Sequence, residues 1–556
     1  LAWPSGDLAH WPKLSLWLYG FWLWLFGADS YQALELGASY LSILYGLVLC
    51  GLIYFAARKI LDQSFSILVL FLAVLNPFLI RFSCLGQVDH HIFELLLVPI
   101  ALLLGLKSFL SAKTAFLLGV VFALSFGVSS SVLFVIGAVM LSFALVDSNR
   151  DKRKEFLSLV LGFILIFPLV MLWHHDVWRQ NFDIRMPSFF QAFVVLSLFF
   201  LVAPFILFKK NRTKIISYLT MGVFGGLLYA LTPMQGLLLT AFRYVFGRQG
   251  ILAHVLEARP LFYGVSDFKF DFIINSLGYF FPISLALFLL PFFWRRLSTA
   301  ERFYFIMALI LFIPALAQRR FIIYFIALFL ILLVWALKVF VQYLKKKAIR
   351  VHYFVIPGFV LMAIFPGIEF GFAPDMDPRL RVDFSILHMT KDNLNFDSKL
   401  AWKRLGEKSP EVGGIWTNPN LGHLLTYISG MGSLVDPFYI TPSLRKDFKG
   451  RKIEQESDFF NFLDENKIDL VFLLNDFHYF RMLHEVFRED MPWLRRAGPS
   501  NAYVFDLQIL EPYFWVRSIL RPDTEWEGFE EILRIQVMEN HFYNFVRLMQ
   551  RKKIDP

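Results

Sequence analysis

The chain has 556 residues, of which 57% are hydrophobic, 18% aromatic and only 18% charged, with a mean hydropathy of +0.56; this excludes an ordinary soluble protein of such length and makes lipid part of its solvent. The net charge of +10 does not indicate nucleic-acid binding, because Lys and Arg fall in short clusters between apolar runs rather than along one basic face. Two cysteines, Cys50 and Cys84, exclude a disulfide framework and a thiolate metal centre.

The chain opens on Leu1 rather than Met, and Leu1 to Lys13 holds no signal-peptide pattern, so its natural start is expected upstream. Trp3, Trp11, Trp17, Trp22 and Trp24 read as headgroup anchors, and the apolar stretch 14–26, too short for a full span, predicts an interfacial or re-entrant helix. Apolar runs able to cross a hydrocarbon core of about 30 Å as helices then follow at 38–57, 64–82, 92–110, 114–128, 130–147, 156–174, 188–208, 215–232, 273–294, 301–317, 321–338 and 352–369.

Short Lys/Arg-rich loops stay on the cytoplasmic side. Arg58 with Lys59, Lys107 with Lys113, Arg150 to Lys154, Lys209 to Lys214, Arg295 with Arg296 and Arg302, and Lys345 to Arg350 all fall in alternate loops. An even number of spans then puts both ends of the chain outside. The non-cytoplasmic pieces are the first loop over 1–37, the turn 86–91, the loop 174–187, the long loop 232–272, the turn 318–320 and everything from 373 to 556. At Pro374-Asp375 charge becomes dense and apolar runs shorten, so residues 38–372 form the membrane domain and 373–556 a soluble one. Leu470 to Leu474 reads as a short buried strand after the helix-like Asp458 to Asn466, which predicts a mixed α/β fold there. Gly413, Gly414, Pro419, Gly422, Gly430 and Gly432 punctuate a loop-rich stretch suited to approaching a ligand.

The ionisable residues of interest gather on the external side. In Gly86-Gln87-Val88-Asp89-His90-His91, with Glu94 a turn further in, a carboxylate and an imidazole two residues apart can converge on a divalent cation; the same residues also suit a polar cap on a helix N-terminus. Glu257, in the long external loop, suits either a functional site or a surface ion pair with Arg259. Arg319 and Arg320 break the charge alternation, which points to an anionic partner such as phosphate, or else to a lipid headgroup or a structural carboxylate contact. His174, His175 and Asp176 lie beside Trp173 and Trp178 and read as an interfacial belt.

These residues, in this order and on this side of the membrane, resemble the catalytic subunit of oligosaccharyltransferase, a membrane glycosyltransferase of the C-type superfamily. Gly86 to His91 is similar to the family's second acidic motif in its Asp-x-His form, and His254-Val255-Leu256-Glu257 to the glutamate motif of its fifth external loop. Trp3-Pro4-Ser5-Gly6 with His10-Trp11-Pro12 resembles its first external loop, and Gln318-Arg319-Arg320-Phe321 the site where an Arg meets the lipid pyrophosphate. The resemblance implies an α-helical polytopic membrane protein with twelve of the family's thirteen spans present and a C-terminal mixed α/β domain. It also implies an inner or plasma membrane location with that domain on the non-cytoplasmic side.

The resemblance further implies transfer of a glycan from a polyprenyl-linked donor to asparagine of a polypeptide acceptor. Asp89 and Glu257 would be catalytic, and Asp89, His91 and Glu257 would hold Mn²⁺ or Mg²⁺. Arg319, Arg320 and Arg81 would bind the lipid phosphate, and Asn420, Gly422 and His423 would lie against the acceptor. The sequence departs from the family in three places. The first acidic motif has no counterpart before Trp3, Arg81 stands eight rather than seven residues ahead of Asp89, and Asn418-Pro419-Asn420-Leu421-Gly422 replaces Trp-Trp-Asp-x-Gly, leaving a neutral amide for the carboxylate. Two other classes stay open: a C-type glycosyltransferase using a lipid-phosphate sugar donor with a lipid, glycan or Ser/Thr acceptor, and a transporter or flippase. The latter calls for ionisable groups near the bilayer midplane, whereas those here cluster at one face.

Overall fold

The structure, a computed structural model, describes residues 13–27, 31–83, 90–109, 111–146, 151–174, 187–208, 211–246, 277, 280–289, 294–347 and 355–359, and then 414–416, 432–433, 461, 464, 468–474, 494–497, 502–505, 529–539 and 542–551. The chain divides into two compact units, His10–Pro374 and Asp375–Pro556 with Leu1–Ala9.

Thirteen α-helices are described in the first unit: α1 Leu14–Leu25, α2 Tyr31–Ala57, α3 Gln63–Leu75, α4 Pro77–Ser83, α5 His91–Ser108, α6 Ala112–Ser125, α7 Leu133–Leu145, α8 Arg153–Trp173, α9 Phe189–Leu207, α10 Asn211–Leu231, α11 Met234–Phe246, α12 Thr299–Ala317 and α13 Ile322–Lys346. Among the described residues, six stretches, Gly37–Ala57 and the whole of α5, α8, α9, α12 and α13, are long and apolar enough to cross a membrane. Their starts carry the expected chemistry. Ser188 and Gln191 form a reciprocal capping box on α9, and Ser298 and Glu301 one on α12, so donors left unpaired by the first turn are satisfied before the chain enters an apolar environment.

The run 64–82, expected as one span, is two helices. Pro77 cannot donate to the preceding turn, so α3 stops at Leu75; Asn76 caps α4 through a 3.1 Å bond from the Leu79 N–H to its Oδ1. The loop expected over 232–272 begins with α11. The stretch 14–26 is helical as expected, and the Leu14 N–H donates to the Gly127 carbonyl at 2.8 Å. Of the apolar run 273–294, the described part includes a 3₁₀ segment, Phe281–Leu289.

Helix α13 is buried at every position from Ile322 to Val334, as befits a helix apolar all round; it packs on α3, α5 and α12. Helix α8 instead leaves Leu157, Leu161, Ile164, Leu165, Leu169 and Leu172 exposed, an apolar stripe suited to lipid. Helices α6 and α8 cross at two glycines. A Cβ on Gly119 would meet the Leu159 carbonyl, and one on Gly162 the Phe116 carbonyl, the small-residue packing that substitutes for a hydrophobic driving force between helices in lipid.

Polar ties between elements respect the sidedness of the charge pattern. At one end, Lys13 meets His174, Gln191 Nε2 donates to Ser130 Oγ at 3.0 Å, and Tyr324 meets Glu94, all in or beside segments the pattern assigns to the external face. At the other, Lys338 pairs with Asp62 at 3.2 Å and Trp335 Nε1 donates to Glu301 Oε1 at 2.9 Å, both between residues assigned to the basic face.

In the second unit the described strands are β1 Gly414–Trp416, β2 Gly432–Ser433, β3 Ile468–Leu474, β4 Leu494–Ala497, β5 Ala502–Phe505, β6 Phe529–Glu539 and β7 Phe542–Arg551. Five form a mixed sheet in the order β2-β1-β3-β7-β6, in which β1 runs parallel to β2 and β3 while β7 is antiparallel to β3 and β6. The strand expected at 470–474 is β3, two residues longer at its start. Of the stretch 458–466, the described residues Asn461 and Asp464 are helical.

Candidate active site

The site is built at the first turn of α5. His90 caps the helix, His91 opens it, and Glu94 stands one turn in, where the positive end of the helix dipole favours a carboxylate. The spacing of three places His91 and Glu94 on one face, and His91 Nδ1 lies 2.6 Å from Glu94 Oε2. An ionised carboxylate only accepts, so the imidazole hydrogen sits on Nδ1. The other carboxylate oxygen, Oε1, accepts from the Tyr324 hydroxyl at 2.7 Å and faces Arg320 Nη2 at 4.0 Å.

Glu94 is fully buried. An isolated carboxylate in such a place costs far more than a helix gains by holding it, so its three partners are a condition of its being there. Two of them come from a distant part of the chain. Arg320 lies in the 3₁₀ turn Arg319–Phe321 that joins α12 to α13, and Tyr324 sits in the first turn of α13. The turn around His90 and the turn around Arg320 are therefore held against each other through one carboxylate. Aromatic rings wall the apolar side: Phe82 meets the His91 ring edge-on at 5.4 Å, and Tyr45 and Tyr19 pack on Phe93 at 4.8 and 5.5 Å.

The donor set suits a divalent metal. His90, His91 and Glu94 each offer a ligand atom, and these lie within 4.8 Å of one another. Two imidazoles and a carboxylate are borderline-to-hard donors matched to first-row divalent ions such as Zn²⁺ or Mn²⁺.

Of the residues singled out from the sequence, His91 and Arg320 come together here around Glu94. Asp89, Glu257, Asn420, Gly422 and His423 lie outside the described residues. Arg81 falls in α4 and Arg319 in the 3₁₀ turn beside Arg320, with their side chains outside the description. Glu94 as the organising group, and Tyr324 altogether, were not singled out. The available signal was a carboxylate inside an apolar span, three residues after a histidine. His174, read as part of an interfacial belt, is buried against the protein, 1% exposed: Nδ1 donates to the Val170 carbonyl at 2.7 Å and Nε2 accepts from the Lys13 N–H at 3.0 Å. Both ring nitrogens serve packing, which leaves neither to ligate a metal.

A multi-helix membrane unit with a histidine, carboxylate and guanidinium cluster where two interhelical turns meet, followed by a sheet-containing unit, defines a polytopic membrane protein with a buried polar cluster at one end of its bundle. No protein-family model matches the sequence, and no curated relative matches it. Solved structures do. The chain is similar to the oligosaccharyltransferase AglB of Archaeoglobus fulgidus in complex with an inhibitory peptide and a dolichol-phosphate, with a TM-score of 0.73 and 17% identity over 96% of this chain and 72% of that one. It is similar to the A. fulgidus oligosaccharyltransferase in complex with zinc and sulfate, with a TM-score of 0.66 and 18% identity over 96% and 71% of the two chains. It is similar also to that enzyme tethered to an acceptor peptide containing the NVT sequon, with a TM-score of 0.64 and 19% identity over 90% and 66%. The protein thus has the fold of the archaeal oligosaccharyltransferase.

Proposed function

We propose that the protein is an oligosaccharyltransferase that moves a glycan from a polyprenyl diphosphate carrier to the side-chain amide of asparagine in a polypeptide. The observation that carries this reading is the meeting of His91, Glu94 and Arg320 from two interhelical turns at one end of the bundle, in a fold shared with enzymes solved with a dolichol-phosphate or an acceptor peptide. The orientation follows from the basic loops: the site and the second unit lie on the non-cytoplasmic side.

In the reaction the bond between sugar C1 and the diphosphate oxygen breaks, the amide nitrogen bonds to C1 and loses a proton, and the lipid diphosphate leaves. An amide nitrogen is a poor nucleophile because its lone pair is delocalised. Glu257 is the residue assigned to hydrogen-bond its N–H and weaken that conjugation. Arg320 and Arg319, with Arg81, are assigned to the diphosphate, whose oxygens match the planar guanidinium fork. Asp89, His91 and Glu257 would hold a divalent cation, Mn²⁺ or Mg²⁺, a reading supported by the A. fulgidus enzyme having been solved in complex with zinc and sulfate. When bound, that ion would neutralise charge on the departing diphosphate. Asn420, Gly422 and His423 are assigned to the acceptor.

The test is a transfer assay on the full-length protein in lipid nanodiscs, with a polyprenyl-diphosphate-linked oligosaccharide and an Asn-x-Thr peptide, read by mass spectrometry of the linkage. Glycan on the asparagine amide is expected. Glycan on a hydroxyl or on lipid would favour a related transferase with another acceptor, a reading that Asn420 in place of the family's carboxylate keeps in view. Absence of any transfer would overturn the proposal.

A further inference from the structure

We infer that Glu94 is a positioning residue for metal binding: it orients the His91 imidazole so that Nε2 is the nitrogen presented to the cation, while Tyr324 and Arg320 fix the carboxylate from the opposite helix. The inference rests on the metal-dependent reading of the site and adds to it the group that determines how His91 ligates. With Nδ1 donating to Glu94 Oε2 at 2.6 Å, His91 can reach a cation only through Nε2. A carboxylate behind a ligating histidine holds the ring's rotation and raises its basicity. Here that carboxylate is fully buried and is itself held from its other oxygen, because Oε1 accepts from the Tyr324 hydroxyl at 2.7 Å and lies 4.0 Å from Arg320 Nη2. The arrangement has a further consequence. Arg320 is assigned to the lipid diphosphate, so the residue that would ligate the metal and the turn that would bind phosphate share one anchor, Glu94.

A buried ion pair between helices would exist for stability alone if Glu94 only joined α5 to α13. A direct ligand role is the other alternative, since Glu94 belongs to the same cluster of ligand atoms as His90 and His91. The two are separated from positioning by Mn²⁺ binding, followed by electron paramagnetic resonance of the full-length protein in detergent, with Glu94→Gln, Tyr324→Phe, His91→Ala and the double variant His91→Ala/Glu94→Gln. A positioning carboxylate predicts that Glu94→Gln weakens Mn²⁺ binding by about 10- to 100-fold. Tyr324→Phe, which keeps the ring volume, weakens it less but in the same direction. In the His91→Ala background Glu94→Gln adds nothing, because the ring it orients is gone. Wild-type Mn²⁺ affinity in folded Glu94→Gln or Tyr324→Phe protein would overturn the inference in favour of a helix tie, and an undiminished effect of Glu94→Gln in the His91→Ala background would overturn it in favour of direct ligation. A wild-type protein that binds no Mn²⁺ overturns it as well. A protein that binds Mn²⁺ through this coupled pair yet transfers no glycan leaves the inference standing and removes only the transferase reading.

Discussion

The backbone N–H of Lys13 donates to His174 Nε2 at 3.0 Å, and this one bond, between residues 161 positions apart, ties the start of α1 to the end of α8. Lys13 Nζ adds a 3.4 Å bond to the Trp173 carbonyl, and Trp17 meets Trp173 edge-on at 5.8 Å. Replacing His174 by Ala removes the imidazole acceptor of the part-buried Lys13 N–H, a loss of roughly 1–3 kcal/mol where that donor is left unsatisfied, while the Val170 carbonyl still accepts from the backbone N–H of residue 174 at 3.3 Å. The expected outcome is a lower thermal midpoint and faster proteolysis near α1. An unchanged midpoint and unchanged cleavage would show that α1 is held by its apolar face alone.

The crossing of α6 and α8 makes a second prediction. Gly119 and Gly162 face the partner helix's backbone at Leu159 and Phe116, and a side chain there forces the helices apart. Gly119→Leu or Gly162→Leu is expected to destabilise the bundle by several kcal/mol, beyond the roughly 1–3 kcal/mol of ordinary overpacking because backbone rather than a rotamer must move. Gly222→Leu, on α10 with open space around it, is the control and is expected to be mild. Equal midpoints for all three in detergent would show that the crossing is looser than described.

What the sequence made legible divides along the range of the interactions. Apolar runs placed α5, α8, α9 and α12 within a few residues of where they lie, and the start but not the end of α13, which runs eight residues further to Lys346, because lipid demands long helices and leaves them in the composition. The break at Asn76-Pro77 was present in the sequence as a proline, but a proline is also common in unbroken membrane helices, so the run read as one. Strand β3 showed as Leu470 to Leu474. Strand β6, Phe529–Glu539, went unread, although Leu533-Arg534-Ile535-Gln536-Val537 alternates apolar with polar residues. At the site, His91 and Arg320 were visible as local charge anomalies. Their meeting depends on Glu94 and Tyr324, which are 230 positions apart and carry no local mark of each other.

Removal of the assigned catalytic carboxylates is the direct test of the chemistry. Asp89→Ala and Glu257→Ala in the full-length protein are each expected to lower glycan transfer by about 100-fold or more, since one charge partner in a water-excluded site is worth a few kcal/mol of transition-state stabilisation. Both variants are expected to fold and to extract from membrane like the parent. Parental transfer rates in either variant would remove that residue from the site.

Chelation separates a metal-dependent from a metal-free transferase. Incubation with EDTA and desalting is expected to abolish transfer, and added Mn²⁺ or Mg²⁺ to restore it, because carboxylate and imidazole ligands bind first-row ions reversibly. Transfer that persists at full rate after metal is verified absent by mass spectrometry would show that the arginines alone carry the leaving-group charge.

At the basic end of the bundle, Asp62 caps α3 and reaches α13 at once: Oδ1 accepts from the Phe65 N–H at 3.2 Å, and Oδ2 pairs with Lys338 at 3.2 Å. Partial burial pushes the Asp62 carboxyl up, but the Phe65 N–H and the Lys338 ammonium outweigh it and hold the group below the usual carboxylate range. The folded state therefore prefers the ionised form, and the unfolded chain takes up a proton first as pH falls. The resulting stabilisation is fully present above the unfolded value of about 3.9 and is lost as pH drops through the lowered folded value. Half-exposed as it is, the ion pair contributes little, so most of the effect resides in the cap, worth about 1 kcal/mol. Asp62→Asn keeps an oxygen for the Phe65 N–H but cannot titrate. Thermal midpoints compared between about pH 7 and pH 3 are expected to fall more steeply for the parent than for Asp62→Asn, and parallel curves would show that the carboxylate charge does not link α3 to α13.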